Sequence, residues 1–150
     1  MAEARDNAGD QQSRKEVLAW LRRAAEQGNA DAQVSWGVAL FYGEDVKKDQ
    51  TKALSWYRKA ARRGHDSAQL NIGHMYRSGE GVPQNWQRAI VWYRKAAENG
   101  NVAAMHWLGR IYGGQEEFPV DSRQAAYWLT QAAKRGDMQS QCSLGVCYRD

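Results

Sequence analysis

An all-α solenoid of 36-residue helix-turn-helix repeats is the fold class this sequence predicts, and three sets of regularly spaced residues predict it. Trp20, Trp56, Trp92 and Trp128 stand 36 residues apart. The same interval carries the pairs Ala24-Ala25, Ala60-Ala61, Ala96-Ala97 and Ala132-Ala133, each followed three residues later by Gly28, Gly64, Gly100 or Gly136. A second glycine column runs through Gly37, Gly73, Gly109 and Gly145. A fixed period between about 20 and 50 residues marks stacked supersecondary units, none of which can bury its apolar face without a neighbour.

Each unit reads as two helices. The second, helix B, is predicted to start at Ser13, Asp49, Asn85 and Asp121, all residue types whose side chains cap a helix N-terminus. Ser13 with Glu16 has the spacing of a reciprocal capping box, so residues 1–12 are expected to form a flexible N-terminal tail. After the cap, Ala53, Trp56, Tyr57, Ala60 and Ala61 follow helical spacing, as do Ala89, Trp92, Tyr93, Ala96 and Ala97; these stripes are the predicted buried face, tryptophans included. Gly64 and Gly100 suit the left-handed residue that closes such a helix.

Helix A begins near Asn29, His65, Asn101 and Asp137 and spans about 13 residues at the usual helical repeat. Its expected buried face is Ala32, Trp36 and Leu40, then Ala68, Ile72 and Tyr76, then Ala104, Leu108 and Tyr112, then Ser140, Leu144 and Tyr148. Glycine inside a helix costs about 1 kcal/mol against alanine. Its recurrence at Gly37, Gly73 and Gly109 therefore calls for a steric reason, the expected one being close approach of a neighbouring helix backbone. The loops at 43–48 and 79–84 are turns between antiparallel helices. A phosphate-loop reading of their glycines fails, because no strand precedes them and no Gly-Lys-Ser/Thr element follows. The third loop, 113–120, keeps the length but moves the glycines and adds Phe118.

Composition fits a helical globular domain: 43% hydrophobic, 25% charged, two prolines. The longest apolar runs fall far short of the roughly 20 residues that cross a bilayer. The start, MAEARDNAGDQQSRKE, lacks the apolar stretch of a signal peptide, which makes a cytoplasmic location the expectation unless an export signal has been removed. Cys142 and Cys147, five residues apart, fall on different sides of a helix and do not suit a mutual disulfide or a zinc pair. His65, His74 and His106 lack metal-ligand spacing, and nothing pairs either cysteine with a base. Neither an enzyme, nor a cofactor, nor a metal site is expected.

The run Ala68-x-x-x-Ile72-Gly73-x-x-Tyr76-x-x-Gly79-x-Gly81-Val82-Pro83, followed by Ala89-x-x-Trp92-Tyr93-x-Lys95-Ala96-Ala97-x-x-Gly100, resembles the Sel-one-like repeat, a relative of the tetratricopeptide repeat. The resemblance covers residues 13–150 as a lone helix B, three A/B repeats and a terminal helix A. It implies a right-handed α/α superhelix that acts as a scaffold or adaptor in bacterial signalling or secretion, binding partners without chemistry of its own. An immunity or chaperone-like protein that neutralises a cognate effector is the alternative.

If the repeats curve as the resemblance implies, the face of helix A opposite its buried stripe lines the concave groove. The residues there change from copy to copy while the buried ones repeat. Phe41 and Tyr42 are apolar, and Asn71, His74, Arg77, His106, Trp107, Arg110 and Arg149 are polar or aromatic. Aromatic and arginine side chains are the usual hot-spot types, so these nine are the expected partner-binding residues, and the expected partner is a protein or peptide with acidic and apolar features. Arg22, Arg58 and Arg94, with Arg23, Lys59 and Lys95, form a basic stripe along helix B, and the net charge is +4. Nucleic acid is a distant alternative, since cations near a helix C-terminus already complement its dipole. The last helix A has no following helix B to cover Leu144, Cys147 and Tyr148. Either the natural chain continues past Asp150 or self-association or a partner covers that strip.

Overall fold

The computed structural model of the chain describes residues 2–114, 116 and 118–147. Among them are eight α-helices in two compact units, one ending at His65 and the other starting at Asp66. The first unit holds α1 (Ala2–Glu26), α2 (Ala30–Tyr42) and α3 (Gln50–Ala61). The second holds α4 (Asp66–Ser78), α5 (Trp86–Glu98), α6 (Val102–Tyr112), α7 (Ser122–Lys134) and α8 (Met138–Cys147). The all-α class and the helix-turn-helix repeats are as the sequence predicts, with α2, α4, α6 and α8 as helices A and α1, α3, α5 and α7 as helices B.

Capping residues set the boundaries. Asn29, Asp49, Asn85, Asn101 and Asp121 each accept a hydrogen bond from a backbone N–H two or three residues on, satisfying a donor that the first helical turn leaves open. At the far end of each helix B, the N–H of Gly28, Gly64, Gly100 and Gly136 donates to the carbonyl three residues back. The next N–H reaches the first alanine of the Ala-Ala pair. This reciprocal closure needs a left-handed residue, and these glycines have φ from 82° to 93°. The A-to-B turn is tied the same way in every copy: the N–H of Asp49, Asn85 and Asp121 donates to the carbonyl of Leu40, Tyr76 and Tyr112 at 2.8 Å.

Ser13 is not a cap. α1 runs from Ala2, so residues 2–12 are helical and Ser13 lies inside the helix. The alanines, glutamines, Glu3 and Arg5 before it favour a helix and offset Asp6, Asn7, Gly9 and Asp10, and no proline stops one.

The helix A faces are buried as expected from Ala32 through Tyr112, and Ser140 is buried too. On helix B the stripe shifts. The buried residues are Ala53, Leu54, Tyr57, Ala60 and Ala61 in α3, and Ala89, Ile90, Tyr93, Ala96 and Ala97 in α5. Trp56 and Trp92 stand at its edge, half-buried, each with a lysine ammonium over its ring: Lys59 at 3.9 Å and Lys95 at 4.6 Å. Trp20 is 71% exposed, and only Trp128, at 8%, is buried. In α3 and α5 the periodic tryptophan therefore marks the rim of the stripe rather than its centre, and Leu54 or Ile90 two residues earlier takes the inner place, whereas in α7 Trp128 is itself part of the buried stripe.

The mid-helix glycines have a different cause from the one expected. A Cβ on Gly37 would lie 2.5 Å from the Tyr57 ring, one on Gly73 2.7 Å from the Tyr93 ring, and one on Gly109 2.5 Å from the Leu129 side chain. The approach is by a large side chain of the following helix B, not by backbone. Tyr93→Ala is therefore expected to cost about 3–5 kcal/mol, as a large buried side chain does, while Trp92→Ala costs roughly 1–2 kcal/mol. Urea melts of the two variants would order them, and equal losses would return Trp92 to the core.

Candidate partner-binding site

The second unit carries a cluster built on Tyr93. Its ring seats against Gly73, which brings its hydroxyl 2.8 Å from Nδ1 of His74 on α4. Trp107 of α6 lies parallel to Tyr93, ring centres 6.4 Å apart and 9° between planes, and meets the edge of His74 at 5.4 Å. Two guanidinium groups flank the indole, Arg77 at 4.3 Å and Arg110 at 4.7 Å. Both reach the same oxygen, Oε1 of Glu116 in the α6–α7 loop, at 3.8 and 3.6 Å. The Tyr93 hydroxyl and His74 Nδ1 share a hydrogen bond, with the Arg77 charge close to both. The Arg77 Nε is buried with no partner among the described residues.

This geometry holds two cations in place on an aromatic platform, half-buried and aimed at a carboxylate. Cation–π contacts strengthen as water is removed, and arginines already held in one conformation lose less entropy when they bind. A planar guanidinium pair of this kind recognises carboxylates.

Of the nine residues expected to bind a partner, His74, Arg77, Trp107 and Arg110 meet in this cluster. Asn71 is half-buried on the same helix as His74. His106 lies elsewhere: it is only 9% exposed, and its Nδ1 faces Ser140 Oγ at 2.9 Å and Asp137 Oδ2 at 3.1 Å. The inward position follows from its place next to Met105 on the buried side of α6, whereas Trp107 faces outward. One nitrogen meets both groups, so this is no serine–histidine–aspartate relay, which needs the two ring nitrogens on different partners. Burial raises the Asp137 carboxyl, but hydrogen bonds from Ser140 outweigh it and hold the group below its ordinary range. Phe41 and Tyr42 belong to the first unit, rings edge-to-face at 5.0 Å, with Tyr42 64% exposed. Arg149 lies outside the described residues.

Two members of the cluster were not among the expected residues. Tyr93 was assigned to packing alone, and it does both jobs. Glu116 had a legible signal, the loop column Glu44, Glu80 and Glu116 at the same 36-residue interval. The basic stripe is largely occupied by its own surroundings: Lys59 and Lys95 lie over indoles, Arg94 donates to the Tyr112 hydroxyl at 2.8 Å, and Arg22 pairs with Glu26 at 2.8 Å. No group of three or more metal-ligating side chains occurs among the described residues, and none of their helices is long and apolar enough to cross a membrane.

The Sel1 repeat family model matches residues 18–29, 30–65, 66–101 and 102–137, and the last three matches each span one A/B pair. A protective antigen of uropathogenic Escherichia coli displaying an SLR fold is 38% identical, with a TM-score of 0.82, over 87% of this chain and 28% of that one. A Sel1 repeat protein from Oxalobacter formigenes is 33% identical, with a TM-score of 0.83, over 89% of this chain and 55% of that one. The chain thus spans well under two thirds of the length of either. An immunity protein from Pseudomonas aeruginosa shares the fold at 22% identity and a TM-score of 0.64, over 76% of this chain and 43% of that one. No curated protein matches the chain.

Burial, aided by the Arg77 charge, pulls the His74 pKa down to about 4 from the ordinary 6.5. Between those values the unfolded chain binds a proton that the folded site refuses, so stability rises with pH through the window and is lost as pH falls through it. The full loss is roughly 3 kcal/mol. His74→Gln keeps an acceptor for the Tyr93 hydroxyl and removes the titration. Its stability, measured by denaturant melts from pH 7 to 4.5, is expected to fall less than that of the wild type; parallel curves would mean that His74 titrates normally.

Proposed function

Because the chain belongs to the Sel1-repeat family, whose helix-turn-helix repeats are protein-binding modules without catalysis, we propose that it grips an acidic segment of another protein and neutralises that protein by occupying it. The observation that carries this reading is the position of Glu116. Arg77 and Arg110 are already trained on one carboxylate oxygen across the face of Trp107, so the chain's own loop models the group that a partner would present. Displacing Glu116 frees both guanidiniums for a partner Asp or Glu, with Trp107 beside them as an apolar contact. Burial of such charge pairs typically shifts affinity by a few kcal/mol.

A blocking role agrees with the likeness in fold to the immunity protein from Pseudomonas aeruginosa. The concentration of aromatic and arginine side chains in one cluster supports it as well, since a blocker needs only one strong surface. A bridging scaffold needs a second surface for a second partner. The Phe41–Tyr42 pair in the first unit, with Tyr42 exposed, favours that reading.

Capture of proteins from an extract of the source cells, with wild type, Arg110→Gln and Glu116→Gln as baits, tests the assignment. The cognate partner is expected to be recovered about tenfold less by Arg110→Gln and severalfold more by Glu116→Gln, with all three baits melting within a few degrees of one another. A partner recovered equally by all three moves the interface elsewhere. Loss of the captured protein's activity at one-to-one stoichiometry supports neutralisation, and co-capture of two proteins in one complex supports bridging instead.

A further inference from the structure

We propose that the cleft between α1 and α2 in the first unit is a binding site for an aromatic side chain of a partner protein, carried one helical turn before an arginine. The repeat register supplies the argument. Ser35, Asn71 and Trp107 are equivalent positions, as are Val38, His74 and Arg110; Leu21, Tyr57 and Tyr93; and Glu44, Glu80 and Glu116. In the second unit Trp107 lies over Tyr93 of α5, while Arg110 covers the indole and reaches Glu116 at 3.6 Å. The pair α1–α2 repeats the pair α5–α6, but Ser35 and Val38 stand where the tryptophan and the arginine stand there.

What is left is a cavity of about 570 Å³ lined by Val17, Leu21, Ser35, Val38, Glu44 and Asp45, among others. Its volume lies in the range of pockets that hold small organic groups. Val17 stands at it 65% exposed, a large aliphatic side chain left in water. The occupant is specified twice over. The equivalent place in the second unit takes an indole, held there between Tyr93 of α5 and His74 and Arg77 of α4, and the α1–α2 cleft offers a ring of that size the α5–α6 side of the same place. The rim carries two carboxylates, Glu44 and Asp45, and one cation, Arg14, which lies 3.9 Å from Asp45. Val38 provides no counterpart to the guanidinium with which Arg110 meets Glu116. A partner helix presenting Trp and, three residues later, Arg would supply from outside the two side chains that α6 supplies from within. This site is separate from the Trp107 cluster and does not rest on the role proposed for it.

The probe is a capped helical peptide carrying Trp and, three residues on, Arg, titrated into the whole protein while methyl NMR signals of Val17, Leu21 and Val38 are followed. Saturable shifts confined to these methyls are expected. Replacing the peptide's Trp by Ala should weaken binding about tenfold or more, and replacing its Arg by Glu about threefold or more. Ser35→Trp, which fills the cleft from within, should abolish the shifts while the melting temperature stays at or above that of the wild type. If that variant does not fold, Val17→Ser at an exposed position should weaken binding about fivefold. Absence of shifts at millimolar peptide, equal binding of the Trp-less peptide, or undiminished binding by Ser35→Trp or, where that variant fails to fold, by Val17→Ser would overturn the assignment.

Discussion

The contact on which the rest of this structure depends is the seating of one large helix B side chain against a helix A glycine. Tyr57 on Gly37, Tyr93 on Gly73 and Leu129 on Gly109 are three copies of one interlock. Glycine weakens the helix that contains it by about 1 kcal/mol, and a fully buried aromatic returns more than that. The exchange also sets register, because a ring that must meet a particular glycine permits only one axial offset between the two helices. The turn bond from the helix B cap to the helix A carbonyl then holds the offset from the other end. Alanines, with Leu54 or Ile90, fill the remaining stripe.

The same interlock builds the cluster around Trp107. Tyr93 is buried for packing, yet its hydroxyl emerges beside His74 and its ring forms the platform under Trp107. Arg77 and Arg110 are therefore placed by a core residue rather than by a loop, and only Glu116, the group they grip, comes from one. A cationic pair on an aromatic platform facing a loop carboxylate is an arrangement that an external acid can enter by displacing the loop acid. The cluster holds its histidine neutral for the same reason: the packing that orders the arginines also excludes the water a charged imidazole would need.

Features that the backbone demands were legible in the sequence. Caps at Asp49, Asn85 and Asp121, the closing glycines and the alanine stripes each have one physical cause, and each repeats. The tryptophan column repeats as strictly and was misplaced, because periodicity shows that a position is constrained without showing whether the constraint lies at the centre of a stripe or at its rim. Leu54 and Ile90 fill the inner place with ordinary aliphatics, which draw no attention in a sequence. Ser13 misled for a related reason: a capping box is a local signal, and the helix-forming residues before it were enough to carry α1 through. In the cluster, His74, Arg77, Trp107 and Arg110 could be found from the variable face of helix A. His106 could not be excluded from that face, since neighbouring residues on one helix differ by only about 100° in direction.

Because packing fixes the glycine, tyrosine and alanine columns, the columns beside them are free to differ between copies without cost to the fold. Positions 35, 71 and 107 hold Ser, Asn and Trp, and positions 38, 74 and 110 hold Val, His and Arg. One backbone thus presents a small polar and aliphatic pair, an amide with a neutral imidazole, or an indole with a guanidinium. On the proposed reading, specificity resides in two columns and in the loop acid that faces them, while stability resides in others. The two sets meet at Tyr93. A change of partner is accessible through substitutions at 35, 38, 107 or 110, whereas a substitution at 93 alters recognition only by loosening the helices that carry it.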